Sequence, residues 1–203
     1  MSVMSPRKAA AQRDGQSLYD LLVAAAEKMI ATQGTANLTV REIARTAGVA
    51  DGVLYNHFSD KEELVARALM AHVRATERAL GDLPVAGEGP LAENLHRYVA
   101  FGLALHRVIV PAFSGLAGRP EVLRRFSDIG ERSGHWRDQL VAYLKEERAL
   151  GRLHPESEVD AAAAMLVGYC HESVLGTVFP HTEQLNPPTP ESVVKAVLNG
   201  IAP

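Results

Sequence analysis

The sequence predicts an all-α protein in which a small N-terminal helix-turn-helix domain precedes a larger helical domain. Hydrophobic residues make up 47% of the 203 residues and aromatic residues only 5%, a composition rich in alanine, leucine and valine that favours helices. Apolar residues also recur at helical spacing in most segments, and no segment shows the strict alternation of a strand. These two observations together predict the fold class.

The first predicted helix covers residues 17–33 and ends at Gly34, because glycine is a common helix stop. Its apolar residues share one face: Leu18, Leu21, Leu22, Ala25 and Met29. We expect this helix to pack across the two short helices that follow it and to close a small core. Residues 1–16 are polar and small, and we predict that they form a flexible N-terminal tail.

A short helix is predicted to begin after Thr39, which stands three residues before Glu42. This is the spacing of a capping box, in which the two side chains satisfy backbone amides at a helix start. The apolar face of this helix consists of Ile43, Ala44 and Ala47. Gly48 then stands where a helix end and a tight turn require a positive φ angle.

A second short helix follows the turn, with an apolar stripe made by Val49, Leu54 and Phe58. Two short helices around a glycine-bearing turn form the helix-turn-helix pattern. Ser59 and Glu62 have the capping-box spacing again. A longer helix is therefore predicted to begin there and to continue to about residue 80.

These segments resemble the DNA-binding domain of tetracycline-repressor-like (TetR family) transcription regulators. The resemblance lies in Thr-Val-Arg-Glu-Ile-Ala-Arg-Thr-Ala-Gly-Val at 39–49, Gly-Val-Leu-Tyr-Asn-His-Phe at 52–58 and Asp-Lys-Glu-Glu-Leu at 60–64. With the preceding helix it covers residues 17–70, and beyond them the chain matches only a general style of helical ligand-binding domain.

The resemblance implies a regulator that binds double-stranded DNA and responds to a small-molecule effector. Release of a repressor from a palindromic operator is the commoner outcome in the family. A transcriptional activator of the same fold is an alternative. A helical enzyme or adaptor with a degenerate DNA-binding head is another, and it would require a cluster of acid and base groups in its cavity.

A recognition helix places its N-terminal residues at base edges in the major groove. The corresponding positions here are Ala50, Asp51, Gly52 and Val53. The methyl groups of Ala50 and Val53 suit a thymine methyl group, and Asp51 can accept a hydrogen bond from cytosine N4. Asp51 departs from the family pattern, in which many relatives carry a basic or neutral residue, and a carboxylate there is repelled by phosphates.

Contacts with DNA phosphates are implied by the resemblance at four matching positions: Thr39, Tyr55, His57 and Lys61. Asn56 lies on the side of the second helix away from its apolar stripe, as Tyr55 does, and we include it among the expected DNA-binding residues. In the tail, Arg7, Lys8 and Arg13 offer an alternative interpretation as a basic arm that reaches the phosphates or the minor groove.

Five further helical segments are predicted after a stretch rich in glycine and proline at 81–90. They cover 91–105, a short helix at 105–117 kinked or broken at Pro111, a long helix at 120–150, and helices at 158–178 and 191–200. We place the domain boundary at about 75–90. The predicted domains are residues 17–80 for DNA binding and residues 81–203 for ligand binding and dimerisation.

A homodimer is expected, because helix-turn-helix proteins gain specificity by placing two heads about 34–36 Å apart on the operator. The helices at 158–178 and 191–200 are the predicted dimer faces, although they can instead bury themselves within one chain. Small residues that permit close approach are Ala161 to Ala164, Gly168 and Gly176. Apolar area is expected from Leu166, Val167, Val174, Leu175, Val193, Val194 and Val197.

The second domain is the expected effector sensor. Aromatic and histidine side chains spread over its helices are predicted to line an apolar cavity with a few polar groups, the usual composition of a small-molecule site. The candidates are Tyr98, Phe101, His106, Phe113, Trp136, Tyr143, Tyr169 and His171. Each of them can equally be a core residue.

Composition restricts the remaining classes of protein. No run reaches the roughly 18 apolar residues of a membrane span, and the N-terminus has no apolar core of a signal peptide. The single cysteine, Cys170, excludes an internal disulfide. We therefore expect a soluble cytoplasmic protein with no membrane partner. The net charge is −3, divided into about +1 for residues 1–80 and −4 for residues 81–203. This mild asymmetry argues neither for nor against binding of nucleic acid.

Metal binding and catalysis are not expected. No two of the eight histidines stand three or four residues apart, and adjacent Cys170 and His171 point to different helix faces. The run Phe113-Ser114-Gly115 lacks the glycine two residues before the serine that a nucleophile elbow needs, and no glycine-rich phosphate loop follows a strand. We predict no metal, no cofactor and no enzymatic activity.

Overall fold

The computed structural model describes residues 6–36, 38–116, 118–130, 135–178 and 188–201, with side chains described from residue 17 onward except at 176–178 and 201. These residues form eight α-helices and one 3₁₀ helix, which confirms the all-α prediction. The α-helices are α1 (Pro6–Gln33), α2 (Val40–Ala47), α3 (Lys61–Leu80), α4 (Leu91–Ser114), α5 (Pro120–Gly130), α6 (Trp136–Ala149), α7 (Val159–Val178) and α8 (Pro190–Ile201). The 3₁₀ helix covers Asp51–Asn56.

The chain forms two compact units. The first unit contains the residues up to Ala75 together with Ala112–Ile129, and the second contains Thr76–Pro111 and the residues from Gly130 onward. The end of the first stretch at Ala75 lies at the edge of the boundary range expected from the sequence. Residues 112–129 join the first unit, although the predicted second domain includes them. The domain limits themselves stay a prediction.

The core of the first unit is mostly aliphatic and draws on every helix of that unit. It includes Leu22, Ala26, Ile30, Ile43, Leu54, Leu64, Leu69, Leu116 and Val122. The end of α4 is held by a buried hydrogen bond in which the Thr35 hydroxyl donates to the Ala112 carbonyl at 2.7 Å. This contact fixes the chain between α1 and α2, directly before the predicted DNA-binding residues.

Helix α1 begins earlier than the sequence predicts. It starts at Pro6, so residues 6–16, expected as a flexible tail, have a helical backbone, while residues 1–5 lie outside the described residues. Proline is favoured in the first turn of a helix. The next turn contains Ala9 to Ala11, and alanine has the highest helix propensity of all residue types.

Two predicted helix limits in the middle of the chain are wrong. Helix α4 is continuous through Pro111 to Ser114, because the buried Ala112 and the core contacts around it hold the last turn despite the lost hydrogen bond. The single helix predicted at 120–150 is instead α5 and α6. His135 is the N-cap of α6, and its backbone N–H donates to the Asp138 carboxylate at 3.1 Å.

The second unit buries apolar residues that the sequence assigns to a dimer face. Four of the seven belong to the core of this unit: Leu166, Val167, Val194 and Val197. Val174 is also buried. Since these side chains are buried within one chain, they follow the alternative that the sequence left open, and the use of α7 and α8 as dimer faces stays a prediction. The small and apolar residues that α7 exposes are Ala161, Ala164, Met165, Gly168 and Leu175. No described helix is both long and apolar enough to cross a membrane.

Candidate nucleic-acid interface

Thr39 is the N-cap of α2. Its side-chain oxygen accepts a hydrogen bond from the Glu42 backbone N–H at 3.2 Å, and its hydroxyl donates to the Glu42 carboxylate at 2.8 Å. These hydrogen bonds fix the start of α2, and the Thr39 side chain is exposed to solvent. The predicted cap at this position is confirmed.

The turn after α2 depends on Gly48, whose φ angle is +73°. Its backbone N–H donates to the Arg45 carbonyl at 3.2 Å, and the Val49 N–H donates to the Ala44 carbonyl at 3.0 Å. A side chain at such a φ angle is strained. The predicted glycine turn is confirmed, and it directs the chain into the 3₁₀ helix.

The 3₁₀ helix presents the four predicted base-facing positions. Ala50, Asp51 and Gly52 are exposed and Val53 is half-buried, while Leu54 on the opposite side is fully buried. Leu54 therefore anchors the helix in the core of the first unit. The residues that precede it are left free to approach a groove of DNA.

Asp51 has a cationic neighbour. The Arg41 Nε atom lies 3.5 Å from the Asp51 carboxylate, and the two side chains are 88% and 53% exposed. An ion pair this exposed contributes about 0–1 kcal/mol. The Arg41 charge therefore offsets part of the negative charge of Asp51 in the free protein. Breaking this ion pair to form contacts with DNA costs little free energy.

The predicted phosphate-contacting residues follow directly. Tyr55 is 61% exposed, Asn56 is exposed, and His57 and Lys61 are half-buried. Burial lowers the pKa of Lys61, and the neighbouring Arg119 guanidinium lowers it further. Burial of all three of Tyr55, His57 and Lys61 would contradict a DNA-binding surface, and none of them is buried.

Helix α3 is capped one residue later than the sequence predicts. Asp60 is the capping residue, since its carboxylate accepts the Glu63 N–H at 2.9 Å. The Glu63 carboxylate in turn accepts the Ser59 N–H and hydroxyl, both at 2.9 Å. The predicted Ser59–Glu62 box is wrong because serine and aspartate are equally good caps and stand side by side.

Two arginines that the sequence does not single out reach this helix start from distant parts of the chain. Arg119 donates to the Glu62 carboxylate at 2.8 Å, and Arg125 donates to both carboxylate oxygens of Asp60 at 2.7 and 2.9 Å. No local signal reveals these pairs, because the partners lie 57 and 65 residues apart.

The predicted effector residues separate into several groups. In the second unit the rings of Tyr98 and Tyr143 lie 4.7 Å apart. Burial raises the pKa of Tyr98 to about 12 and also raises that of Tyr143. The Tyr98 hydroxyl donates to the Pro84 carbonyl at 3.3 Å. These two tyrosines therefore act as core residues of the second unit.

A second group surrounds His106. Its ring lies 5.4 Å from the Trp136 ring and 4.4 Å from the His171 ring, and its Nδ1 atom is hydrogen-bonded to the Gly102 carbonyl. Burial lowers the pKa of both histidines, which favours neutral imidazoles. The Trp136 Nε1 atom is buried without a hydrogen-bond partner among the described residues.

The other three candidates lie elsewhere. Phe113 belongs to the first unit, where its ring packs 5.0 Å from that of Phe126, so it does not join the second-unit candidates. Phe101 is half-buried and borders surface grooves of about 290 and 310 Å³. Tyr169 donates through its hydroxyl to the Pro188 carbonyl at 3.1 Å.

Cys170 is buried beside this second group, with its Sγ atom 3.8 Å from the Val99 carbonyl oxygen. Burial raises its pKa to about 12, so the thiol stays protonated at neutral pH and is a poor nucleophile. Within the described ranges, no three histidine, cysteine, aspartate or glutamate side chains are placed to hold a metal ion.

An exposed short helix after a glycine turn, with a capped helix before it and a lysine at the start of the next, defines a helix-turn-helix DNA-binding regulator. Residues 22–68 match the family model described as bacterial regulatory proteins, tetR family. The chain belongs to the TetR family of DNA-binding transcriptional regulators, a family without enzymatic activity.

Two curated relatives show this membership. The chain is 30% identical over 141 residues to the HTH-type transcriptional repressor KstR2 of Mycobacterium tuberculosis (strain ATCC 25618 / H37Rv), covering 68% of this chain and 70% of the relative. It is 32% identical over 166 residues to the HTH-type transcriptional regulator BetI of Rhizobium meliloti (strain 1021), covering 75% and 76%.

Solved structures agree on the fold. The flavonoid-responsive regulator FrrA superposes with a TM-score of 0.65 at 25% identity, covering 93% of this chain and 98% of that one. The regulator FadR from Bacillus subtilis, solved in complex with stearoyl-CoA, has a TM-score of 0.59 at 20% identity and covers 90% and 98%. The latter likeness concerns the fold alone.

Proposed function

We propose that this protein is a transcriptional repressor that binds a palindromic operator as a homodimer in the cytoplasm and leaves it when a small molecule binds. The observation that carries the DNA-binding surface is the 3₁₀ helix Asp51–Asn56, which is anchored by buried Leu54 and exposed at its start. A curated relative that is named a repressor supports the sign of regulation.

In this proposal Ala50 to Val53 face base edges in the major groove. Thr39, Tyr55, Asn56, His57 and Lys61 contact phosphates on either side. The Arg41–Asp51 pair opens as the cation turns toward a phosphate, which leaves the Asp51 carboxylate to accept from a cytosine amino group.

The first test is operator binding by a Tyr55→Ala/Lys61→Ala double variant. We expect it to bind DNA from upstream of the protein's own gene at least tenfold more weakly than the wild type, because a phenol and an ammonium contact with phosphates are lost. The dependence of log affinity on log salt should become shallower by about 0.9, because Lys61 is the one cation whose phosphate contact is lost. Mobility-shift titrations at several salt concentrations measure both quantities.

Lys28→Ala is the matched control. Lys28 is an exposed lysine of α1, so its replacement changes the net charge by the same amount as Lys61→Ala. Unchanged salt dependence in the control and a shallower one in the double variant support the proposed surface. If the double variant bound the operator with wild-type affinity, the DNA-binding surface would have to lie elsewhere on the protein.

The proposed dimer uses α7 and α8. Met165 on α7 is 56% exposed and lies among small exposed residues that permit close helix approach. Met165, Ala161, Ala196 and Gly200 border a groove of about 370 Å³ between the two helices. In a dimer, the same face of the partner subunit would cover this apolar surface, which is exposed to solvent in the monomer.

Met165→Glu is expected to shift the protein from dimer to monomer in sedimentation experiments, because the interface would bury an unpaired carboxylate. Leu150→Glu is the matched control, since Leu150 is 55% exposed and lies outside the proposed interface. Equal dissociation constants in both variants would place the dimer contact on another face. Loss of the dimer should also weaken operator binding.

The effector is proposed to bind beside the second group of aromatic residues. Trp136 Nε1 is a buried donor with no hydrogen-bond partner among the described residues, and buried His106 and exposed His171 add polar atoms beside the indole ring. Such a mixture of aromatic rings and polar atoms suits a largely apolar molecule that carries a hydrogen-bond acceptor. Trp136 is the single tryptophan, so quenching of its fluorescence by a compound that also releases DNA would identify the effector.

A further inference from the structure

The first turn of α3 is held by an arginine of α5. The Arg125 guanidinium donates to Asp60 Oδ1 at 2.7 Å and to Oδ2 at 2.9 Å, and also to the Ser59 hydroxyl at 3.2 Å. Its Nε atom donates to Glu121 of its own helix at 2.7 Å. Two parallel hydrogen bonds of this kind fix orientation as well as charge.

Asp60 performs two tasks with one carboxylate. It caps α3 through the Glu63 N–H and receives Arg125. The next residue is Lys61, the first residue of α3, and Arg119 pairs with Glu62 one position further at 2.8 Å. Arg119 and Arg125 therefore form ion pairs with the residues on either side of Lys61, the proposed phosphate-contacting lysine.

We infer that Arg125 is a positioning residue for DNA binding: its contact with Asp60 sets the direction of the first turn of α3 and so places Lys61 against the DNA backbone. This role rests on the proposed phosphate contact of Lys61. Arg125 touches no DNA in this scheme and acts through the Asp60 carboxylate.

The Arg125 and Asp60 side chains are 23% and 39% exposed, and a bidentate pair within a network of charges contributes to folding stability as well as to orientation. Orientation matters for DNA binding, because a phosphate contact needs its donor within hydrogen-bond distance. An unpaired Asp60 next to Lys61 would also repel the phosphate that Lys61 is to receive.

The first arm of the test compares Arg125→Ala with Arg124→Ala in operator titrations on the full-length protein. Arg124 is the matched control, because it also donates to Glu121, at 2.8 and 3.1 Å, and otherwise pairs with Asp128 at 3.0 Å within α5. We expect Arg125→Ala to bind about tenfold more weakly and the salt dependence to become shallower by about 0.9. Arg124→Ala should change neither by more than about twofold.

The second arm asks whether Asp60→Asn strengthens or weakens operator binding. Asparagine caps helices as well as aspartate, so α3 keeps its start and loses only the ion pair. If Arg125 acts as a simple cation, removing the Asp60 carboxylate strengthens DNA binding. If Arg125 acts by positioning, Asp60→Asn weakens binding, and the Asp60→Asn/Arg125→Ala double variant binds no more weakly than Arg125→Ala alone.

Arg125→Lys is the conservative variant and is expected to recover part of the affinity, since lysine keeps the charge without the paired hydrogen bonds. Circular dichroism and thermal melting of each variant separate loss of folded protein from loss of affinity. Tighter binding by Asp60→Asn, or equal weakening by Arg124→Ala and Arg125→Ala, would overturn the inference. Absence of specific wild-type binding to any operator would instead overturn the proposed function, and with it this inference.

Discussion

Leu22→Ala is expected to lower the free energy of unfolding by about 2–5 kcal/mol, the usual cost of opening a cavity at a fully buried leucine. Leu22 is 0% exposed in the core of the first unit, whereas its neighbour Leu21 is 45% exposed. Leu21→Ala should therefore change the free energy of unfolding by no more than about 0.5 kcal/mol. The two variants differ by one position and make the same chemical change.

Urea denaturation followed by circular dichroism measures both values, and the operator titration gives the functional consequence. The cavity in Leu22→Ala lies in the same core that anchors Leu54, so we expect operator binding to fall together with stability. Leu21→Ala should keep both. Equal destabilisation by the two variants would mean that α1 buries a different face from the one described.

Gly102→Ala is expected to disrupt the core of the second unit. An added Cβ atom at this position would lie 2.4 and 2.5 Å from ring atoms of Trp136 and 3.0 Å from the Cys170 sulfur. Overpacking of a core typically costs about 1–3 kcal/mol, and the higher helix propensity of alanine returns at most about 1 kcal/mol. We expect a net loss of stability and a red shift of Trp136 emission as the indole ring is displaced toward water.

Gly168→Ala is the matched control, because a Cβ atom on this helical glycine meets nothing within 4 Å. In the Met165→Glu background, where association of subunits does not contribute, we expect it to raise the thermal midpoint through helix propensity alone. Unchanged Trp136 emission and stability in Gly102→Ala would show that α4 and α6 are free to separate. The indole ring would then occupy no fixed place beside the proposed effector site.

Local signals in the sequence account for the parts of the site that were predicted correctly. Thr39 and Gly48 act on neighbouring backbone atoms, through a side-chain cap and a positive φ angle, and such interactions require no knowledge of distant residues. The same reasoning failed by one position at α3, where Ser59 and Asp60 are both good caps. The choice between them was made by Glu63 and Arg125.

Periodicity predicted which residues are apolar on one helix face but not what covers that face. Val194 and Val197 of α8 fit a dimer surface and a monomer core equally well by sequence, and the structure buries both within the second unit. Phe113 was grouped with the effector candidates for its residue type. It packs with Phe126 in the first unit because the end of α4 belongs to that core.

The sequence by itself determined the helical class, the two short helices around Gly48, and the family, since these depend on composition, spacing and short-range capping. Tertiary structure alone decided which side chains meet across long stretches of chain: Arg125 with Asp60, Thr35 with Ala112, and Trp136 with Gly102. The physical reason is that a helix fixes the direction of its own side chains, whereas a contact between helices depends on how whole cores pack.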